Sequence, residues 1–116
     1  HSFPTRRSSD LFDEILVAGL AMGADGAIGS TFNFMYPHYK KIKEAFESLN
    51  HEEARNLQVK ANNIMEALCS VGLIPAIKYI LTLRGIDAGV LRKPFSELND
   101  VQKKYIEDIL ESNLVY

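Results

Sequence analysis

The stretch Gly23-Ala24-Asp25-Gly26-Ala27-Ile28-Gly29-Ser30-Thr31-Phe32-Asn33 decides how the rest of the chain is read. Three glycines fall within seven residues around a short apolar core, Ala27-Ile28, and a Ser-Thr pair and an asparagine follow. Glycine has no Cβ, so it permits positive φ and the close approach of other groups. Small residues, then Ala-Ile, then Gly-Ser-Thr predict a short buried strand that ends at a polar rim. The end of a strand, just before a helix, is where α/β folds place ligand-contacting groups. The plain alternative is an ordinary strand-to-helix turn with Ser30 or Thr31 as N-cap. A glycine-rich turn by itself does not choose between the two.

Upstream of this stretch, Asp13 opens a helix with Ile15, Leu16, Gly19 and Leu20 on one face, three and four residues apart. Asp13 and Glu14 lie in its first turn, where free N–H groups and the macrodipole favour negative charge, and Gly23 is placed to stop it. Residues 1–11, ending in Arg-Arg-Ser-Ser-Asp-Leu, have neither helical nor strand periodicity. They look like translated sequencing adapter, a non-native leader to be kept out of the fold; the alternative is a native flexible arm. Arg6-Arg7 is no twin-arginine signal, because Asp10, Asp13 and Glu14 separate it from the apolar residues that follow.

Downstream, Phe32 to Met35 predicts a turn of helix, and Pro37 sits well at a first helical position. Tyr39, Ile42, Phe46 and Leu49 then form an apolar stripe, with Lys40, Lys43, Glu44 and Glu47 on the wet side as i,i+4 pairs. Asn50-x-x-Glu53 resembles a capping box. The helix it starts carries Leu57, Ala61, Ile64, Leu68 and Val71 and ends at Gly72. Pro75 is expected to start another helix, with Ile77, Ile80 and Leu81 inward and Gly85 closing it. Ile86 to Phe95 is a connection. Asn99-x-x-Gln102 caps the last helix, whose expected buried face is Val101, Tyr105 and Ile109, with Ile106 as a further candidate. One strand among helices is incomplete, since a strand's N–H and C=O groups need a neighbour. The chain therefore reads as the C-terminal part of something larger, cut just before Phe12.

The chain has 116 residues, nearly half hydrophobic and about a quarter charged, enough for one domain with a real core. Its formal net charge is −2 with the signs interspersed, and no basic stripe points to nucleic acid. No apolar run approaches the ~20 residues that span a bilayer, so no membrane segment is expected. Cys69 is the only cysteine, which excludes an intrachain disulfide and fits a reducing cytoplasm. At an apolar helix position it is expected as buried core rather than as a nucleophile.

Phe12-Asp13-Glu14-Ile15, the stretch from Gly23 to Met35 and Arg92-Lys93-Pro94-Phe95 together resemble the N-acetylneuraminate lyase (sialic acid aldolase) family, within the dihydrodipicolinate synthase superfamily. The resemblance runs from Phe12 to the C-terminus, and the Gly-Ser-Thr-aromatic-Asn segment is its most specific part. It implies an α/β fold, the C-terminal part of a (β/α)8 TIM barrel: helix 7 from Asp13, strand 8 at Ala27 to Gly29, helix 8 from Pro37 to Leu49, and a C-terminal helical extension over residues 50–116. The fragment itself would be mostly α-helical, and residues 12–49 and 50–116 would belong to one domain.

The resemblance also implies an activity, the cleavage of N-acetylneuraminate to N-acetylmannosamine and pyruvate. In that family a lysine forms a Schiff base with the keto carbon and a tyrosine assists proton transfer, both upstream of this stretch. Lys78 and Tyr79 match neither position, so no catalytic residue is assigned and the fragment alone is expected to be inactive. Asp13 and Glu14 match the acidic pair that hydrogen-bonds the polyhydroxylated tail of the sugar, and Ser30 matches the serine that contacts the same region. Carboxylates and a serine hydroxyl suit such a tail chemically, because hydroxyls both donate and accept. The family has a glycine before the aromatic-Asp-Glu, where Leu11 stands here, a difference read as truncation. No metal or cofactor is implied. The full-length protein would be a cytoplasmic homo-oligomer, a tetramer in the family. The rival expectations are a sibling 2-keto acid aldolase or synthase and a non-catalytic helical interaction module.

Overall fold

The structure, a computed structural model, describes residues 13–114. The leader, Leu11 and Phe12 lie outside the described residues. A 3-10 turn at Asp13–Ile15 leads into α1 (Leu16–Ala21). There follow α2 (Phe32–Glu47), α3 (His51–Val71), α4 (Leu73–Leu83) and α5 (Asp100–Asn113). The long α3 is central and touches every other helix. Its buried face, Ala54, Leu57, Ala61, Ile64 and Leu68, follows the four-and-three spacing predicted from the sequence. No single helix among the described residues is long and apolar enough to cross a membrane.

No strand forms among the described residues. The segment expected as a buried strand is irregular, and Ile28 is 64% exposed. From Asp25 to Ile28 no backbone group bonds to any described residue. The physical reason is the one that made a lone strand suspect: no neighbouring segment offers a ladder, so nothing holds these residues extended. Met22 and Tyr36, which flank this segment in sequence, are also exposed.

The helix ends follow local rules with some departures. Pro37 cannot donate to the Asn33 carbonyl, and α2 is kinked at Met35 (φ −129°, ψ 30°), so the predicted helical turn and the longer helix join across a bend. The side chain of Asn50 accepts from the Glu53 N–H at 3.2 Å. At the start of α5, Asn99 and Gln102 satisfy each other's N–H groups at 2.8 and 2.9 Å, a complete capping box. α4 begins at Leu73, two residues before the expected Pro75, because a proline in the first turn forgoes an N–H that has no intrahelical partner.

The expected face of α5 is corrected. Val101 is 79% exposed and Tyr105 is exposed, whereas Ile106 and Asn113 are buried and Ile109 and Leu110 are half-buried. Two apolar stripes compete on this helix, and packing against α3 selects the one through Ile106. Asn63 of α3 donates to Asn113 at 3.0 Å and ties that stripe down. Cys69 is exposed rather than buried, with its Sγ 3.8 Å from Met65 Sδ one turn earlier on α3.

Leu49 leaves the predicted α2 stripe and is 77% exposed, because the helix has already ended. The N–H of Leu49 reaches the Phe46 carbonyl at 3.0 Å, and that of Asn50 the Ala45 carbonyl at 2.9 Å. This is the Schellman pattern, which wants a left-handed residue. Gly23 and Gly85 fill the equivalent place after α1 and α4, but here a leucine holds φ 63°. An L-residue pays about 1 kcal/mol or more for that conformation. Leu49→Gly is therefore expected to raise stability by about 0.5–1 kcal/mol, seen as a higher urea midpoint by circular dichroism. An unchanged or lower midpoint would count against the assignment.

His38 is fully buried between α2 and α3, with Nε2 2.7 Å from the Leu57 carbonyl oxygen. Its Nδ1 has no partner among the described residues. Burial holds its pKa below the ordinary 6.5, assisted by Lys60 and Lys41 and opposed by the hydrogen bond to Leu57. The folded histidine thus stays neutral where the unfolded one takes up a proton. Stability should be complete above pH 6.5 and fall as pH drops from there toward the lower folded value. The slope expected from this group is at most about 1.4 kcal/mol per pH unit. Urea titrations between pH 7.5 and 5 should show the fall, and His38→Gln should flatten it.

Candidate functional site

α1 is too short to be stable alone, and α3 supplies the groups that its first turn lacks. Gln58, buried on α3, accepts from the Val17 N–H at 2.9 Å and donates to the Asp13 carbonyl at 3.0 Å. Gln58 also donates to Asn62 at 2.9 Å, and Asn62 donates to the Glu14 carbonyl at 3.1 Å. Orphan backbone groups at the helix start are in this way satisfied from another helix. The grip fixes the positions of Asp13 and Glu14 relative to the body of the molecule.

The Asp13 side chain is buried and reaches across to the turn before α2. Its Oδ2 accepts from the Thr31 N–H at 3.3 Å and from the Thr31 hydroxyl. Thr31 Oγ1 lies 2.7 Å from the Tyr39 hydroxyl, and the Tyr39 ring stacks on Phe32 with centroids 4.3 Å apart. A Cβ built on Gly29 would overlap the Asp13 carboxylate, so the last glycine of the opening stretch makes room for the acid. Thr31 stands at the N-cap position of α2, yet its side chain makes no capping bond; it faces Asp13 instead. Neither Ser30 nor Thr31 caps the helix by its side chain.

The three residues singled out from the sequence are placed as follows. Asp13 meets the turn directly, and Ser30 is the half-buried residue between Gly29 and Thr31, the two that contact Asp13. The Ser30 carbonyl accepts from the Asn33 side chain at 2.8 Å, which steadies the turn. Glu14 is exposed next to Asp13 in sequence, and its backbone carbonyl accepts from Asn62. Asp13 is thus anchored at the turn that carries Ser30, while Glu14, next to it in sequence, is exposed. Among the described residues no group of three or more His, Cys, Asp or Glu is arranged to hold a metal ion.

Sequence reasoning missed Thr31, Tyr39 and Gln58 as parts of this arrangement. Gln58 carried a usable signal, a polar side chain buried on the same helix face as Ala54 and Ala61. Tyr39 was legible only as a member of an apolar stripe. A cavity of about 170 Å³ beside the turn is lined by Leu16, Leu20, Ala27, Phe32, Tyr36 and Tyr39 among others, and includes none of Asp13, Glu14 and Ser30. Elsewhere, Lys78 donates to the Ala88 and Val90 carbonyls at 3.0 and 3.3 Å, holding the connection after α4. The Tyr79 hydroxyl donates to Glu107 at 2.7 Å, and that hydrogen bond raises its pKa to about 12. Both are engaged in joining elements of the fold.

The profile of the Dihydrodipicolinate synthetase family matches residues 9–113. An N-acetylneuraminate lyase of Rhizobium meliloti (strain 1021) is 37% identical over 100 residues, which cover 86% of this chain and 33% of the relative. The solved N-acetylneuraminate lyase of Fusobacterium nucleatum is 37% identical with a TM-score of 0.82, over 89% of this chain and 35% of that one. A dihydrodipicolinate synthase from Bacillus anthracis, 19% identical, shares the fold with a TM-score of 0.78 over 86% of this chain and 34% of that one. The chain spans about a third of the length of the relatives it matches.

The contact between Asp13 and the turn makes Gly29 sensitive. In Gly29→Ala the methyl group would drive the carboxylate off Thr31 and leave a buried acid without its partners. The expected cost is about 1–3 kcal/mol, read as a lower urea midpoint. Gly26→Ala, where nothing stands within 4 Å of the added carbon, is the control and should change little.

Proposed function

Because the chain belongs to the dihydrodipicolinate synthetase family, we propose that it forms the sugar-recognising C-terminal portion of an N-acetylneuraminate lyase. Such an enzyme is a carbon–carbon lyase, an aldolase of carbohydrate metabolism that cleaves N-acetylneuraminate to N-acetylmannosamine and pyruvate. The observation that supports the reading is the meeting of Asp13 with the Gly29-Ser30-Thr31 turn, which joins the first acid of the pair to the turn that carries Ser30. Their hydroxyl-binding groups suit a polyhydroxylated tail, and an unmatched buried polar group would disfavour a substrate lacking those hydroxyls. The identity to lyases, 37% in both the Rhizobium and Fusobacterium proteins, supports the same substrate class. A free-standing helical module is set aside, because the family match extends over residues 9–113.

In this reading Asp13, Glu14 and Ser30 govern which tail is accepted, and the Schiff-base lysine belongs to the part of the barrel not represented here. The working enzyme is a cytoplasmic homo-oligomer that needs no metal or organic cofactor. The lone cysteine is in keeping with that compartment.

The chain alone, incubated with N-acetylneuraminate and borohydride, should trap no adduct on Lys78 or any other lysine. Joined behind the upstream two-thirds of the Fusobacterium nucleatum barrel, it should cleave N-acetylneuraminate. Glu14→Gln or Ser30→Ala in that hybrid should lower kcat/KM by roughly one to two decades, the loss of one or two hydrogen bonds. Borohydride trapping of pyruvate should hardly change, because pyruvate has no tail. Loss of pyruvate trapping in both variants would show that these residues support the fold instead. A hybrid that condenses pyruvate only with some other aldehyde would favour a sibling 2-keto acid aldolase or synthase.

A further inference from the structure

We propose that Thr31 is the positioning residue for Asp13, and that Thr31 backed by Tyr39 leaves Asp13 a single oxygen, Oδ1, with which to meet a ligand hydroxyl. The inference rests on the sugar-tail reading and adds to it the group that aims the acid. Thr31 is fully buried and directs both its N–H and its hydroxyl to Oδ2 of Asp13. A threonine hydroxyl has one hydrogen. Since that hydrogen goes to the carboxylate, which only accepts, the Tyr39 hydroxyl must be the donor in its 2.7 Å contact with Thr31 Oγ1. The polarity of the chain is therefore set: Tyr39 to Thr31 to Asp13.

Tyr39 is itself held, buried and stacked on Phe32 at a centroid distance of 4.3 Å and an interplanar angle of 17°. The last member of the chain thus inherits a fixed direction from a packed ring. With Oδ2 taken, Oδ1 is the nearest atom to the space a Cβ on Gly29 would fill, and it bonds to no described residue. Without the Thr31 hydroxyl the carboxylate keeps one N–H partner and can rotate, so Oδ1 is no longer held over Gly29. Thr31 touches no ligand in this scheme; it acts only through Asp13.

The test uses the hybrid barrel, with KM, kcat and pyruvate trapping measured per mole of folded protein. Thr31→Val keeps the branched shape and removes the hydroxyl. It should raise KM for N-acetylneuraminate roughly tenfold, the loss of one hydrogen bond to a charged group, with kcat and pyruvate trapping nearly unchanged. Thr31→Ser retains the hydroxyl and should recover KM to within about threefold. If Thr31→Val does not fold, Tyr39→Phe takes its place and should raise KM about threefold. A fall in kcat and trapping at constant KM, or a serine variant as impaired as the valine one, would overturn the positioning role. So would an unchanged KM in the valine variant, or in its Tyr39→Phe replacement, while Glu14→Gln and Ser30→Ala are impaired. If those two are also unimpaired, the sugar-tail reading fails, and this inference with it.

Discussion

The grip of Gln58 on the first turn of α1 is the constraint on which the site depends. A six-residue helix has no claim to stability of its own, and its opening N–H and C=O groups have no partners within it. Gln58 supplies an acceptor to Val17 and a donor to Asp13 from one buried amide, and Asn62 adds a donor to Glu14. Because α3 also packs on α2, the same helix sets both the acid and the turn that the acid must reach. The distance from Asp13 to Thr31 is thus a property of how α1 and α2 lie on α3.

From that grip follows a graded polar arrangement. Asp13 is buried and satisfied by Thr31, Thr31 is satisfied by Tyr39, and Tyr39 is locked by stacking on Phe32. Buried polar groups are tolerable when each has its partner, and a network of this kind makes one geometry much better than its neighbours. Ser30 and Glu14, each next in sequence to a member of this arrangement, are half-buried and exposed. The division between a held carboxylate and an exposed one comes from position along a single turn.

The segment from Asp25 to Ile28 presents the opposite condition, with backbone groups that find no partner among the described residues and an exposed isoleucine. The chain spans about a third of its relatives' length and superposes on a solved one over 89% of its own. Its fold class is the C-terminal part of a (β/α)8 barrel, and the helices keep that arrangement around α3 although no strand forms among the described residues. Helices carry their hydrogen bonds within themselves, whereas a strand borrows them from its neighbours. This difference explains why the helices form and the expected strand does not.

Much of the helical plan was legible in the sequence, because it is written in local chemistry. The stripe Leu57, Ala61, Ile64, Leu68 located α3, and Asn50 and Asn99 marked two helix starts through bonds made within four residues. Gly23 and Gly85 marked two ends by the conformation they permit. Leu49 hid a third end, because its left-handed φ is imposed on a residue that does not prefer it. Asp13, Glu14 and Ser30 could be picked out by their match to a family pattern, but their geometry could not. Whether Val101 or Ile106 faces inward, and whether Thr31 caps a helix or holds an acid, was decided by packing against α3. Local spacing fixes which residues share a face; only the arrival of another element decides which face is buried and which polar group finds which partner.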